Sequence, residues 1–229
     1  MENGNDKELL ENGKLTIPLH HGTSSLFLDS IREHGLGGVN PIEQLKVREY
    51  FSEVFKLCDI ALAGDAEWET CKFVPKMLMD QISKGDSANY QHGDTYLSPS
   101  RGSAIGYALT NRFGSELISN AYRLLSLVKE RRPELLENIE LMHHPLQDIL
   151  EKTHKPILLK INNIPISNLA SEGGNSPEKT LEDIKGMLSF LNMAGVAINY
   201  NFRLLRPISF DMCEVEYLDP EKETNLFDW

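Results

Sequence analysis

The spacing of apolar residues divides this chain into β-leaning ends and a helical middle. Residues 14–20 alternate apolar and polar positions and end at His21-Gly-Thr-Ser-Ser25, which reads as a strand running into a turn. Ser24 or Ser25 is placed to cap a helix carrying Leu26, Leu28, Ile31 and Arg32, and Gly35 ends it. From Pro41 to about Leu62, the positions Ile42, Leu45, Tyr50, Val54 and Leu57 keep helical spacing, and residues 67–83 predict a second helix despite Pro75. Residues 84–94, rich in Gly, Ser, Asn and Asp, read as a loop before a brief strand at 95–98. A helix opened by Ser100 or Ser103 carries Ala104, Tyr107 and Ala108. Helical patterning resumes over 115–130, 133–142 and 145–152, with proline at the junctions. Pro156–Ile161 is an apolar run of the buried-strand kind, 172–177 is a polar loop, and 181–193 predicts a helix. The last part is β-rich, over 196–201, 202–205 and 208–218.

Helices in the middle and strands at both ends predict an α+β fold in which the first and last strands meet in one sheet. His-Gly-Thr and the final strand then lie close together. The 229 residues fit a single domain, 1–229, with helical insertions at about 41–83 and 115–152. With 41% hydrophobic and 25% charged residues the chain can bury a core, which excludes intrinsic disorder as a class.

Charge narrows the partners. Lys+Arg 23 against Asp+Glu 34 gives 23 − 34 = −11, the wrong sign for binding polyanions by bulk charge. A nucleic-acid partner needs a local basic patch, for which Lys129-Glu-Arg-Arg132 is the best candidate, although a helix C-terminus alone explains cations there. Cys58, Cys71 and Cys213, far apart and odd in number, offer no disulfide framework and no CxxC zinc knuckle. His143 and His144 point about 100° apart on a helix and have no third ligand in reach, so no metal is expected. No 18-residue apolar run occurs and residues 1–15 are polar, so the expectation is a cytoplasmic chain without membrane contact.

Three short motifs carry chemistry: His21-Gly22-Thr23 after the first strand, Tyr96 followed eleven positions later by Tyr107, and Val215-Glu216-Tyr217-Leu218 on the last strand. Ser100 and Ala104 share a helical face with Tyr107 and, being small, leave room for a flat ring beside it. A glycine at position 22 allows close backbone approach to a flat amide. Period two puts Glu214 and Glu216 on one strand face, with Met212 and Leu218, and Cys213, Val215 and Tyr217 on the other. His20 alternates with His21 and is expected to face away from the pocket. Asn199, Arg203 and Arg206 could reach a pyrophosphate or be surface residues.

In order and spacing these motifs resemble the His-Tyr-Glu branch of the ADP-ribosyltransferase superfamily, which includes diphtheria toxin and the poly(ADP-ribose) polymerases. The resemblance covers about 40 residues in three islands. It implies a split β-sheet core, NAD as co-substrate without a metal, and transfer of ADP-ribose to a macromolecular acceptor, either a protein side chain or a nucleic-acid base. His21, Tyr96 and Glu216 become the catalytic residues, with His21, Gly22, Thr23, Tyr96 and Tyr107 binding NAD. Gly22 would hold the nicotinamide carboxamide through its backbone, His21 the adenosine-side ribose, and Thr23 would steady the His21 segment. Cleaving the nicotinamide bond leaves an oxocarbenium-like ribose, so a nearby carboxylate is chemically apt, and Glu216 takes that role. Glu214 becomes an acceptor-positioning group, as in the Glu-x-Glu pair of the arginine-modifying branch, although that branch opens with arginine rather than His-Gly-Thr.

The resemblance further suggests an intracellular toxin of a toxin–antitoxin or phage-defence system, with a neutralising antitoxin protein. Two other readings stand beside it. An RNA 2′-phosphotransferase shares the superfamily's fold but lacks the terminal glutamate, which Glu216 argues against. A degenerate module would bind NAD or a partner without turnover.

Overall fold

The structure, a computed structural model, describes residues 8–84, 93–137, 139–191 and 200–223. Strands β1 (Leu10–Glu11) and β2 (Lys14–Leu15) form a small hairpin turned by Asn12 and Gly13, both at positive φ. The alternation at 14–20 therefore belongs to two strands, because Pro18 interrupts it. Strand β3 (Leu19–Ser24) begins after that proline and takes in His21, Gly22 and Thr23, which are strand residues rather than a turn. Ser24 caps a short 3-10 turn that leads into α1 (Leu28–His34), and Gly35, at φ 82, ends the helix as its position predicts.

The first helical insertion comprises α2 (Pro41–Gln44), α3 (Val47–Ala61), α4 (Ala66–Cys71) and α5 (Phe73–Lys84). The helix predicted from Pro41 to Leu62 is thus broken, at Lys46, which adopts φ 48. The helix predicted over 67–83 is divided at Lys72, three residues before Pro75. That proline falls in the first turn of α5, where a missing N–H costs little. Asp65 caps α4 through bonds from Glu67 N and Trp68 N.

Strand β4 (Tyr96–Leu97) precedes α6 (Arg101–Thr110), whose cap is Ser100, its Oγ accepting from Ser103 N at 3.2 Å. The second insertion follows with α7 (Glu116–Arg131), capped by Ser115, and α8 (Pro145–Leu150), capped by His144. Between them the helix predicted at 133–142 is replaced by two 3-10 turns, Pro133–Leu136 and Glu140–His143. The remaining elements are β5 (Pro156–Ile161), β6 (Leu169–Ser171), α9 (Pro177–Leu191), β7 (Phe202–Leu204), β8 (Cys213–Tyr217) and α10 (Pro220–Glu223). The loop predicted at 84–94 and the strand predicted at 196–201 lie largely outside the described residues.

The fold is α+β with small antiparallel sheets. One has the order β3-β5-β8 and the other β4-β7-β6. Strand β3, which carries His21 to Thr23, and the last strand, β8, therefore share a sheet with β5 between them, as predicted for the N- and C-terminal strands, while β1 and β2 stay apart as a hairpin. The two sheets meet at an isolated bridge in which His20 and Ser98 exchange both backbone bonds, at 2.7 and 2.8 Å.

Packing follows the same division. The two helical insertions bury one common core, in which Val47, Tyr50, Phe51 and Val54 of α3 face Leu117, Ala121, Leu124 and Val128 of α7. A second core lies under the sheets and includes Leu19, Leu97, Ile157, Leu159, Ile161 and Phe202. A third, small one joins Ala104, Ile105 and Ala108 of α6 to Leu158 and Leu218. Among the described residues, no helix is long and apolar enough to cross a membrane.

Candidate active site

The backbone of β3 has an edge that its own sheet does not use. In an antiparallel pair, alternate residues direct N–H and C=O to the same side. His20 spends both groups on Ser98, so Gly22, two residues on, directs its own N–H and C=O to the same edge, beyond the end of β4. The bonds to β5 come instead from Leu19, His21 and Thr23. An amide donor and a carbonyl acceptor side by side on a strand edge match a primary carboxamide, which offers the opposite pair.

Gly22 is required there for a different reason than a turn. A Cβ at this position would lie 1.9 Å from the carbonyl oxygen of Ala104 and 3.1 Å from the Ala108 Cβ. Helix α6 thus rests directly on the strand, and its own small residues make that approach possible.

A cavity of about 380 Å³ opens at this edge, within the usual range of small-molecule sites. His21, Gly22, Thr23, Tyr96 and Tyr107 all line it. The sequence therefore brings five of its predicted residues to one concavity, from β3, β4 and α6. Ser103, Ala104 and Tyr107 present one helical face to it, and Ser103 Oγ is a buried hydroxyl with no hydrogen-bond partner among the described residues. Pro41, Ile42 and Leu45 from the first helical insertion and Glu116, Ile149 and Lys152 from the second complete the opposite wall.

His21 is set in one tautomer. Its Nδ1 lies 2.8 Å from the Tyr96 carbonyl, which can only accept, so Nδ1 carries the proton and donates it. Burial pulls the imidazole pKa below its ordinary value, outweighing the opposing Tyr96 bond. A neutral ring with Nδ1–H leaves Nε2 as an acceptor, suited to a hydroxyl donor. Thr23 is almost fully buried, and a Cβ on Gly114 would meet its Oγ1 at 2.8 Å, so Thr23 wedges β3 against the segment that opens α7.

Glu216 stands beside the cavity rather than in its wall. Gly22, Leu158 and Glu216 are in register across β3, β5 and β8 and therefore share a face. Their Cα atoms span about 10 Å, one wide and one narrow antiparallel pair. The Glu216 Oε1 accepts from Arg101 Nη2 at 2.6 Å, at the first turn of α6. Glu214 is on the same face, as its spacing from Glu216 predicts, and is held by Lys160 at 3.0 Å and Asn162 at 2.8 Å. The Lys160 bond is the main reason its carboxyl sits below the usual range. Met212, grouped with these glutamates by alternation, falls in a 3-10 turn before the strand.

His20 also lines the cavity, contrary to expectation, because the cavity opens along the strand edge and gathers residues from both faces. It is only 6% exposed, and its Nδ1 has no hydrogen-bond partner among the described residues. Burial lowers its pKa against an opposing contribution from the Ser98 backbone.

Other candidates are otherwise engaged. Arg203 Nη1 pairs with Asp94 at 3.1 Å. Asn199 lies outside the described residues. In the basic cluster, Arg131 binds Glu67 at 2.5 Å, and Arg132 binds Glu134 and the Ala61 carbonyl, which ties α7 to the first insertion. His144 accepts from Leu146 N as the cap of α8. Three residues at the site escaped sequence reading: Arg101, Ser103 as a lining hydroxyl, and Glu116, whose carboxyl is half-buried in the cavity wall with its pKa raised by burial. Each is a lone polar residue in the first turn of a helix with no local pattern to mark it, and for Glu116 the helix macrodipole explains a carboxylate there equally well.

No family model, curated protein or solved structure matches this chain.

Proposed function

We propose that this protein is an NAD-dependent mono-ADP-ribosyltransferase that transfers ADP-ribose to a macromolecular acceptor, protein or nucleic acid. The observation that carries the reading is the free edge of Gly22, aimed into a cavity lined by Tyr96, Tyr107 and His21. Its N–H and C=O would clamp the nicotinamide carboxamide, with the buried Ser103 hydroxyl as a further hydrogen-bonding group. The tyrosines would hold the ring, at roughly 0.5–1.5 kcal/mol per contact. His21 Nε2 would accept from a ribose hydroxyl. Two three-stranded sheets touching at one bridge are compatible with the split-sheet core of the superfamily.

In the reaction, the bond between nicotinamide nitrogen and ribose C1 breaks and nicotinamide leaves with the bonding electrons. The acceptor nucleophile bonds C1 and gives up its proton. Glu216 supplies negative charge toward the ribose 2′-hydroxyl side, and Arg101 fixes where that carboxylate points. Glu214 would position the acceptor. Cumulative marking of an essential macromolecule is harmful, which motivates the role of an intracellular toxin held in check by an antitoxin protein.

A second reading, an NAD-binding module without turnover, is favoured by one observation: Glu216 is paired with Arg101 outside the cavity wall. Incubation with labelled NAD and a cell lysate separates the two. Free nicotinamide together with label on protein or nucleic acid, assigned by protease and nuclease digestion, supports the transferase. Tight NAD binding with neither product supports the module.

A further inference from the structure

Glu116 is the first residue of α7, and its backbone is fixed twice. Ser115 caps the helix through Ile118 N, and Asn120 Nδ2 donates to the Glu116 carbonyl at 2.9 Å. Its side chain lines the cavity half-buried, yet among the described residues no hydrogen bond or ion pair reaches the carboxylate. The cation that acts on it, Arg123, spends its guanidinium on the Thr110 carbonyl at 3.0 Å. A partly desolvated carboxylate in a cavity wall is an acceptor that asks for donors from whatever fills the cavity.

Its place relative to β3 narrows the choice. His21 and Thr23 share a strand face, Gly114 packs against the Thr23 hydroxyl, and Glu116 follows two residues later. The carboxylate thus lines the same cavity as His21, at the start of the helix whose leading segment packs against Thr23. NAD offers three kinds of donor: the carboxamide, which Gly22 would take, the adenine amine, and the ribose hydroxyls. A vicinal diol gives two bonds to one carboxylate, while a phosphate in its place sets like charges together.

Resting on the reading of this cavity as an NAD site, we propose that Glu116 binds the 2′-hydroxyl of the adenosine-side ribose and makes the protein selective for NAD over its 2′-phosphorylated form, NADP. His21 would contact the same sugar from β3, so a strand and a helix start grip it together.

The test is titration of NAD and NADP into wild-type protein, Glu116→Gln, Glu116→Asp and Glu116→Ser, with melting temperature as the control for folding. Wild type is expected to prefer NAD by a hundredfold or more. Removing the charge in Glu116→Gln narrows that ratio at least tenfold, chiefly by improving NADP, and Glu116→Asp retains the preference. Glu116→Ser serves if the Gln variant does not fold, since serine is tolerated at a helix start. Wild type that binds NAD and NADP alike, or charge-removing variants that weaken both equally, overturns the role of Glu116 while leaving the NAD site standing. Folded wild type that binds neither overturns the NAD reading itself.

Discussion

Arg101 and Glu216, 115 positions apart, are joined by a 2.6 Å bond between a guanidinium at the start of α6 and a carboxylate on the last strand. Both side chains are about half exposed, so the pair adds little to stability. What the pair does is fix the direction of a carboxylate that one intervening strand, β5, separates from Gly22. Replacing Glu216 by Gln is expected to leave NAD binding intact and to lower transfer about a hundredfold, about 2.7 kcal/mol of barrier. Arg101→Ala should lower kcat with little change in KM, and Arg101→Lys should restore part of it. Initial-rate kinetics on the three variants decide this, and near wild-type turnover in Glu216→Gln removes that residue from the chemistry.

Gly22→Ala tests the contact between β3 and α6. The added Cβ meets a backbone carbonyl at 1.9 Å, and no side chain can swing aside to relieve it. A loss of at least about 2–3 kcal/mol follows from overpacking of this kind, or a fall in Tm of roughly 5–10 °C for a chain of this size. NAD binding should fail even well below the melting temperature, because the strand edge moves with the helix. Unchanged melting would show that α6 does not rest on Gly22.

The two histidines of β3 set a pH dependence. Burial holds the His21 pKa below the ordinary 6.5, and does the same to His20. Below 6.5 the unfolded chain takes up protons that the folded one refuses, so stability is full above that pH and declines as pH falls toward the folded values. Denaturation between pH 5 and 8 should show this slope, and it should flatten in His21→Asn and in His20→Asn. NAD affinity should fall over the acidic part of the same range, since protonation removes the His21 acceptor. A slope unchanged in both variants assigns the effect to other groups.

Tyr96 and Tyr107 line one cavity from different elements. Alanine at either position is expected to raise the apparent KM for NAD about tenfold, and phenylalanine should rescue most of the loss at both. If phenylalanine is as damaging as alanine, the hydroxyl rather than the ring does the binding.

Growth of a bacterial host gives the last measurement. Induced wild-type protein is expected to arrest growth and Glu216→Gln to spare it, with equal soluble protein in both strains. Equal growth counts against the toxin role and leaves the transferase chemistry untouched.

Local signals were legible where one residue decides the structure. Ser100 and Ser115 cap their helices, Gly35 ends α1, and the apolar run Pro156–Ile161 is a strand with those bounds. The alternation that puts Glu214 and Glu216 on one face of β8 is likewise a local property. A glycine between histidine and threonine looks like a turn in sequence, whereas position 22 lies in a strand and is glycine because of a carbonyl 82 positions away. The break at Lys46 carries no Gly or Pro to announce it. Strand β6, three residues long, is too short to show a period. Arg101 and Glu116 acquire meaning only when the chain brings β8 and the cavity to them.

The segment that carries Tyr96 and Tyr107 leaves the helical layer after α5 and returns to it at α7, and these two departures share one core. It is therefore a handle with both feet in the same block. Neither insertion can be trimmed, exchanged or lost by itself, because each supplies half of the surface that buries the other. The two stand or fall as a pair: a truncation that removes α3 lays bare the face of α7 that it buries.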